Sequence, residues 1–403
     1  MKKIILPEAV KKIITRLENA GYEAYAVGGC VRDTLMERIP DDWDITTSAR
    51  PRDVKKLFRH TIDTGIEHGT VTVMMGGEDT LTQGEEGYEV TTYRIDGEYF
   101  DGRHPSSVQF TPSLHEDLAR RDFTINAMAC NDRSGIVDDF GGMEDMRLKR
   151  IRAVGDPELR FREDALRMLR ALRFSAQLGF TIDPETYAAV CRLAPNLRNV
   201  SKERIQAELS KLLLSEHPAR IALVFDSGLS PFVSPHFAEL GQLPPVSDRL
   251  PHKKYVRWGA VLREAPEKAV PVLRELKMDN ETIRRASALA ELLHSPLPDT
   301  EYAVRKCLSR VGEELYMDCI ASVRVLLPDT DVRFAADCAA RSIQRGDCIS
   351  TAALSVSGQD LLEAGIPRGP AIGMTLAAML EEVLRNPAQN RKSILLGKFV
   401  PRS

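Results

Sequence analysis

Between Glu23 and about Ala129, apolar and polar residues alternate in short runs separated by turn formers: "EAYAVGG", "WDITTS", "HGTVTVMMGG", "YEVTTYR" and "SSVQFTP". Alternation of period two bounded by Gly, Pro and Ser predicts a small sheet with few helices. The glycine-rich, acidic stretch "GGEDTLTQGEEGYE" between two of these runs reads as a solvated hairpin tip. From about Gly141 the alternation stops. Apolar residues then recur three and four apart, as in "EDALRMLRALRFSAQLGF", "RIQAELSKLLLSEH" and "AIGMTLAAMLEEVLR", which predicts helices almost to the end of the chain. Prolines in "QLPPVSDRLPHKK" and "HSPLPDT" mark joints between helical groups, and no repeat of fixed period is present. The opening "MKKIILPEAVKKII" has a basic start, but its proline and charges interrupt any long apolar segment, so it reads as an amphipathic helix and not a signal peptide.

Composition narrows this picture only a little. With 403 residues, 43% hydrophobic and 28% charged, the chain has the length for two to four domains and an ordinary soluble composition. No apolar run approaches the roughly 18 residues of a membrane span, and the expected compartment is the cytoplasm. Seven cysteines (Cys30, Cys130, Cys191, Cys307, Cys319, Cys338, Cys348) include no C-x-x-C pair, which argues against a disulfide framework or a cysteine zinc site. A net charge of -3 does not announce a nucleic-acid binder, so any phosphate contact requires locally clustered arginines.

Candidate chemistry concentrates in "YAVGGCVRDTLMERIPDDWDITT". A short strand over Tyr25–Val27 runs into Gly28-Gly29, and "CVRDTLM" continues as a helix. Such a turn lets backbone N–H groups approach an anion closely. About ten residues on, Asp42 and Asp44 flank Trp43. On a strand, residues two apart share a face, so both carboxylates converge while Asp41 points away. Paired carboxylates suit Mg²⁺, which binds through one or two of them plus substrate phosphates. Together with Arg32 these are the parts of a nucleotidyl-transfer site with two metals roughly 3.5 to 4 Å apart, and Glu89 in "YEVTTYR" is the candidate third acid. Downstream, "DLARRDFTINAMA" sets Arg120, Arg121 and Asp122 at a helix N-terminus. In "EDALRMLRALRF", Asp164 and Arg167 lie three apart on one helical face, with Arg170 and Arg173 continuing the stripe. A carboxylate beside a guanidinium matches the exocyclic amine and ring nitrogen of cytosine and of adenine, and opposes guanine and uracil.

These motifs, "GGCVRD", "DWD", "RRDFTINAMA" and "REDALRMLRALRF" in that order, resemble the class II tRNA nucleotidyltransferase and bacterial poly(A) polymerase family of the polymerase β superfamily. The resemblance implies an α+β fold: a polymerase-β-like nucleotidyltransferase head, a small mixed sheet with helices, over residues 1–140, followed by an all-helical remainder. That remainder is a neck over 141–200 with the base-recognition helix, a body over 201–290 and a tRNA-binding tail over 291–403. It further implies that Arg121 contacts the incoming nucleotide and that Asp122 serves its sugar. The expected activity is template-independent addition of C, C and A to the 3′ end of tRNA from CTP and ATP with two Mg²⁺. Asp42 and Asp44 bind the metals. Gly29, with Gly28 in the same turn, and Arg32 hold the triphosphate. Asp164 and Arg167 read the base, supported by Arg170 and Arg173.

Family members differ in product. The segment "YRIDGEYFDGRHPSSVQF", with Asp96, Asp101 and Arg103 intact, resembles the loop that full CCA-adding enzymes carry between the first two motifs, which favours complete addition over CC-only or A-only activity. The compact end "NRKSILLGKFVPRS" differs from the long basic terminus usual in poly(A) polymerases and reads as a tRNA-contacting or packing tail. Relatives with an HD phosphohydrolase unit carry His-Asp where this chain has Arg263-Glu264, and His236 and His252 form no spaced metal set with it, so no second hydrolase site is expected. A catalytically silent RNA-binding protein is the rival from another class. No membrane or obligatory protein partner is expected.

Overall fold

The amphipathic opening folds as α1 (Glu8–Asn19), which buries Val10, Ile13, Ile14 and Leu17 along one stripe and ends before Gly21. The structure, a computed structural model, describes residues 4–76, 85–96 and 108–400. Of the residues in the loop between the first two motifs, Asp101 and Arg103 lie outside that range, and Asp96 is the last residue of its strand. Contacts divide the chain into two units, Met1–Ala238 and Glu239–Ser403. This division is coarser than the four expected segments and draws no line between head and neck.

In the first unit the strands are β1 (Ala24–Val27), β2 (Ile45–Thr47), β3 (Thr61–Gly65), β4 (Thr70–Met75), β5 (Glu86–Thr92), β6 (Arg94–Asp96), β7 (Val108–Phe110), β8 (Ala129–Asn131) and β9 (Gly135–Val137). Seven of them form one mixed sheet in the order β3-β4-β5-β2-β1-β8-β9, while β6 and β7 pair separately. All neighbours in the large sheet are antiparallel except β2 and β5, which run parallel with Ile45 opposite Val90. Val71, Val73, Ile45 and Val90 face α1 and α3 (Pro51–Leu57) in a single core with Val10, Ile13, Leu17 and Val54.

Three short helices complete the head: α2 (Gly29–Leu35), α4 (Leu114–Ala119) and α5 (Gly142–Arg147). Beyond them come α6 (Pro157–Glu163), α7 (Leu166–Leu178), α8 (Pro184–Leu193) and α9 (Lys202–Leu213). Apart from the two-residue strands at Arg150–Ile151 and Thr181–Ile182, the chain after β9 is helical, as the periodicity predicted.

Three local expectations need correction. Arg120, Arg121 and Asp122 do not stand at a helix N-terminus: Arg120 is the C-cap of α4, and the other two follow it. The D-x-D pair does not sit on a strand: β2 begins at Ile45, and Asp42 and Asp44 lie in the segment just before it. Asp164, too, is not on the helix that carries Arg167. It is the residue after α6, with φ -141° and ψ 104°, and α7 starts two residues later. The two are therefore neighbours across a helix break and do not share a helical stripe.

All regular structure described in the second unit is helical. The helix Lys254–Leu262 buries Trp258 completely, and its Arg257 donates to the carbonyls of Ser247, Asp248, Leu250 and Pro251 at 2.6, 2.7, 2.9 and 3.3 Å. Arg263 follows that helix, buried, with Nη1 donating to Ala260 O at 2.7 Å, and Glu264 beside it is exposed. The C-terminal helix Lys392–Phe399 packs Leu395 into a small core with Leu361, Met379 and Val383. Among the described residues no helix is long and apolar enough to cross a membrane.

Candidate active site

The opening turn is built on one residue that only glycine tolerates. Gly28 has φ +84° and ψ -127°, and a Cβ there would lie 2.9 Å from Arg121 Nη1. Gly29 already belongs to α2 and has room to spare, its nearest such neighbour being Arg32 Nη2 at 3.7 Å. The bare edge of the turn is thus filled by a guanidinium. Gly28 N donates to Met128 O at 3.0 Å, which seats the turn on the chain entering β8.

The acids gather beside it. Val27 N donates to Asp44 O at 3.0 Å, continuing the β1–β2 pairing past the end of the strand. Trp43 packs against the core, and the carboxylate of Asp42 lies close enough to that of Asp44 to act on its charge. Because β2 and β5 run parallel with Ile45 opposite Val90, the preceding residues Asp44 and Glu89 are neighbours. Burial, then the charges of Asp42 and Glu89, push the Asp44 carboxyl up to about 6, with Arg121 pulling the other way. Asp42 and Glu89 are exposed, so the cluster opens outward.

That mutual repulsion favours a cation between the two carboxylates. Mg²⁺ takes oxygen ligands and uses few protein carboxylates, and an acid pair whose charges oppose one another offers that donor set. Asp42 and Asp44 would supply two such ligands, with substrate phosphates supplying others.

Arg121 links this cluster to a second region. Its Nε is buried without a hydrogen-bond partner. Burial pulls its pKa below the usual guanidinium value while Asp117, Asp44 and Asp122 oppose that. A cleft of about 250 Å³ is lined by Arg120, Arg121, Asp122, Asp164, Leu166, Arg167, Arg170 and Arg204. It brings together the arginine pair after α4, the helix break and α7. A larger apolar hollow, about 420 Å³, lies at the other end of α2 among Leu35, Met36, Met143 and Met146, and none of its lining residues is acidic.

Within the cleft the pairings differ from those expected. Asp164 meets Arg204 of α9 at 2.7 Å and also accepts from Leu166 N at 3.0 Å. Arg167 meets Glu163 at 2.7 Å and donates to Arg120 O at 3.0 Å. Asp122 accepts from Phe123 N, from Asn126 Nδ2 and from Arg170, whose Nη2 lies 2.6 Å away. Burial works against that carboxylate, yet Arg170, Arg167 and Asn126 outweigh it and hold it well below the ordinary range. Arg32 is also occupied: it grips Asp33 at 2.8 and 2.7 Å and donates to Asn126 Oδ1 at 2.6 Å. Arg173 pairs with Glu208 at 2.6 Å. Sequence alone does not single out Glu163, Arg204, Glu208, Asn126 or Phe174: "SKERIQAELS" carries a helical signal and nothing more, and Asn126 has the look of an ordinary polar residue of its segment.

Comparison with known proteins follows the same geometry. Residues 24–152 match the poly(A) polymerase head domain, 179–240 a segment described as a probable RNA and SrmB-binding site of polymerase A, and 255–399 a second domain of tRNA nucleotidyltransferases. A CCA-adding enzyme of Leuconostoc mesenteroides is 38% identical over 93% of this chain and 92% of its own length. The chain belongs to the CCA-adding enzyme family. A second family member, from Geobacillus kaustophilus, is also 38% identical and covers 97% of this chain and 96% of its own. The crystal structure of the CCA-adding enzyme of Bacillus stearothermophilus in complex with CTP superposes with a TM-score of 0.82 at 34% identity, covering 98% of each chain. Likeness to this family therefore extends from the head through the helical units to the C-terminus.

Proposed function

We propose that the chain adds C, C and A, one nucleotide at a time, to the 3′ end of tRNA from CTP and ATP, releasing pyrophosphate. The observation that carries this reading is the convergence of Asp42, Asp44 and Glu89 beside Arg121 and the Gly28 turn, in a chain similar to CCA-adding enzymes along nearly its full length. Full-length likeness to these enzymes favours complete addition over CC-only, A-only or poly(A) synthesis.

Each residue has a part in it. Asp42 and Asp44 would hold Mg²⁺, which when bound would supply Lewis acidity to the attacking hydroxyl and the departing pyrophosphate. Arg121, with a buried donor unpaired, orients the triphosphate over Gly28 and Gly29. Arg32 braces that wall from behind through Asp33 and Asn126. Asp164 accepts a hydrogen bond from the exocyclic amine of cytosine or adenine, and Arg167 donates to the adjacent ring nitrogen. Asp122 orients Arg170 more directly than it could serve a ribose, given its three protein donors. The helical units would grip tRNA by shape and phosphates.

Supplying tRNA that lacks its 3′ CCA with CTP, ATP and Mg²⁺, then sequencing the products, tests the reading. Complete CCA ends are expected from the wild type, and a loss of at least a thousandfold in Asp42→Ala. Ends that stop at CC, long A tails, or undiminished incorporation by Asp42→Ala would refute it.

A further inference from the structure

Three guanidinium groups share one phenyl ring beside the cleft, and Arg170 of the three also lines it. Phe174, buried on α7, has Arg173 4.0 Å, Arg32 5.1 Å and Arg170 5.3 Å from its ring centroid. Phe123 meets the same ring edge-on, with centroids 5.8 Å apart at 80°. Like charges gathered so closely need counter-ions, and each has one: Asp33 for Arg32, Asp122 for Arg170, Glu208 for Arg173. The pairs close a circuit. Arg32 donates to Asn126, Asn126 to Asp122, and Arg170 to Asp122, while Arg32 and Arg170 meet again over the ring. At its centre stands a side chain with no polar atom, so stacking and cation–π attraction set the spacing of these cations.

We propose that Phe174 is a positioning residue that fixes the distance between the triphosphate side and the base side of the nucleotide site. The inference rests on the nucleotidyl-transfer reading above. Arg32 leaves α2 directly after the Gly28 turn, so the ring touches the triphosphate wall. Arg170 anchors Asp122, the neighbour of Arg121. Arg173 anchors Glu208, one turn along α9 from Arg204, which holds Asp164. One ring thus registers three ion pairs, one within α2, one joining α7 to Asp122 and one joining α7 to α9. Without its π face the ion pairs remain, but the ring contact common to all three guanidinium groups is lost.

The test compares Phe174→Leu and Phe174→Met, which keep an apolar group without a ring, with Phe174→Tyr, which keeps the ring. Calorimetric Kd for CTP and ATP, KM, kcat, and misincorporation of G and U into CCA-less tRNA are measured on the full-length chain. Loss of the ring is expected to raise Kd and KM about tenfold and to raise misincorporation, leaving kcat at saturation within about twofold. Phe174→Tyr should bring all of these back to within about twofold of wild type. A lowered melting temperature in the Leu and Met variants with unchanged Kd and unchanged selection would show plain packing and overturn the inference, as would failure of Tyr to restore binding. Wild-type protein that binds CTP but does not extend tRNA would count against the proposed function alone, and the Kd series would still decide the role of Phe174.

Discussion

Asp44 carries the sharpest local consequence of the site. Its carboxyl, pushed up to about 6 by burial and by its acidic neighbours, keeps a proton in the folded protein over a range where the unfolded chain, near 3.8, has already lost it. Stability from this group is therefore lost as pH rises from about 4 to about 6, and the penalty stands in full above that. Asp44→Asn is expected to stabilise the metal-free protein by about 1 kcal/mol at pH 8, after allowance for solvent screening, and to do little at pH 4. Thermal melts at the two pH values check it; an equal shift at both would remove the repulsion argument. Added Mg²⁺ should narrow the gap at pH 8 only for the wild type. The residues behind this were legible in the sequence, because D-x-D and a Gly-Gly turn have few other uses together. Asn126 and Phe174 were not, since an asparagine in a turn and a phenylalanine on an apolar stripe are what ordinary packing also produces.

The helix break at Asp164 shows where periodicity misleads. Apolar spacing continues from Phe161 through Leu166 to Phe174, so the sequence reads as one helix, but the backbone of Asp164 leaves the helical region and its side chain accepts from the N–H of Leu166, where a new helix begins. The break frees the carboxylate from the α7 stripe and hands it to Arg204 on α9. Arg204→Met should leave Asp164 without its 2.7 Å partner and let it rotate, raising incorporation of G and U roughly fivefold while CTP turnover falls less. Deep sequencing of products from an equal mixture of four triphosphates checks this, and an unaltered spectrum would mean that the ion pair does not aim the carboxylate. The pairing of β2 with β5 was equally hidden: alternation marks strands without naming their partners.

At the scale of the whole chain, helical spacing after Gly141 foretold the all-helical remainder, but not where contacts thin out, which is near residue 238. The segment after that point has no regular structure, and its order depends on the four carbonyls that Arg257 holds. Arg257→Met would strip those acceptors of their donor in a buried place, at a cost of about 3 kcal/mol. The expected result is faster tryptic cleavage after exposed Arg249 and a fall of several degrees in Tm. Unchanged cleavage would show that the segment holds itself. The parallel β2–β5 pair also fixes an order in time. A hairpin cannot make such a pair, so a chain emerging from the ribosome presents Asp42 and Asp44 well before β3 and β4 have folded and β5 can dock. Glu89 joins them only when β5 docks, so the third acid of the cluster depends on a contact between strands more than forty residues apart.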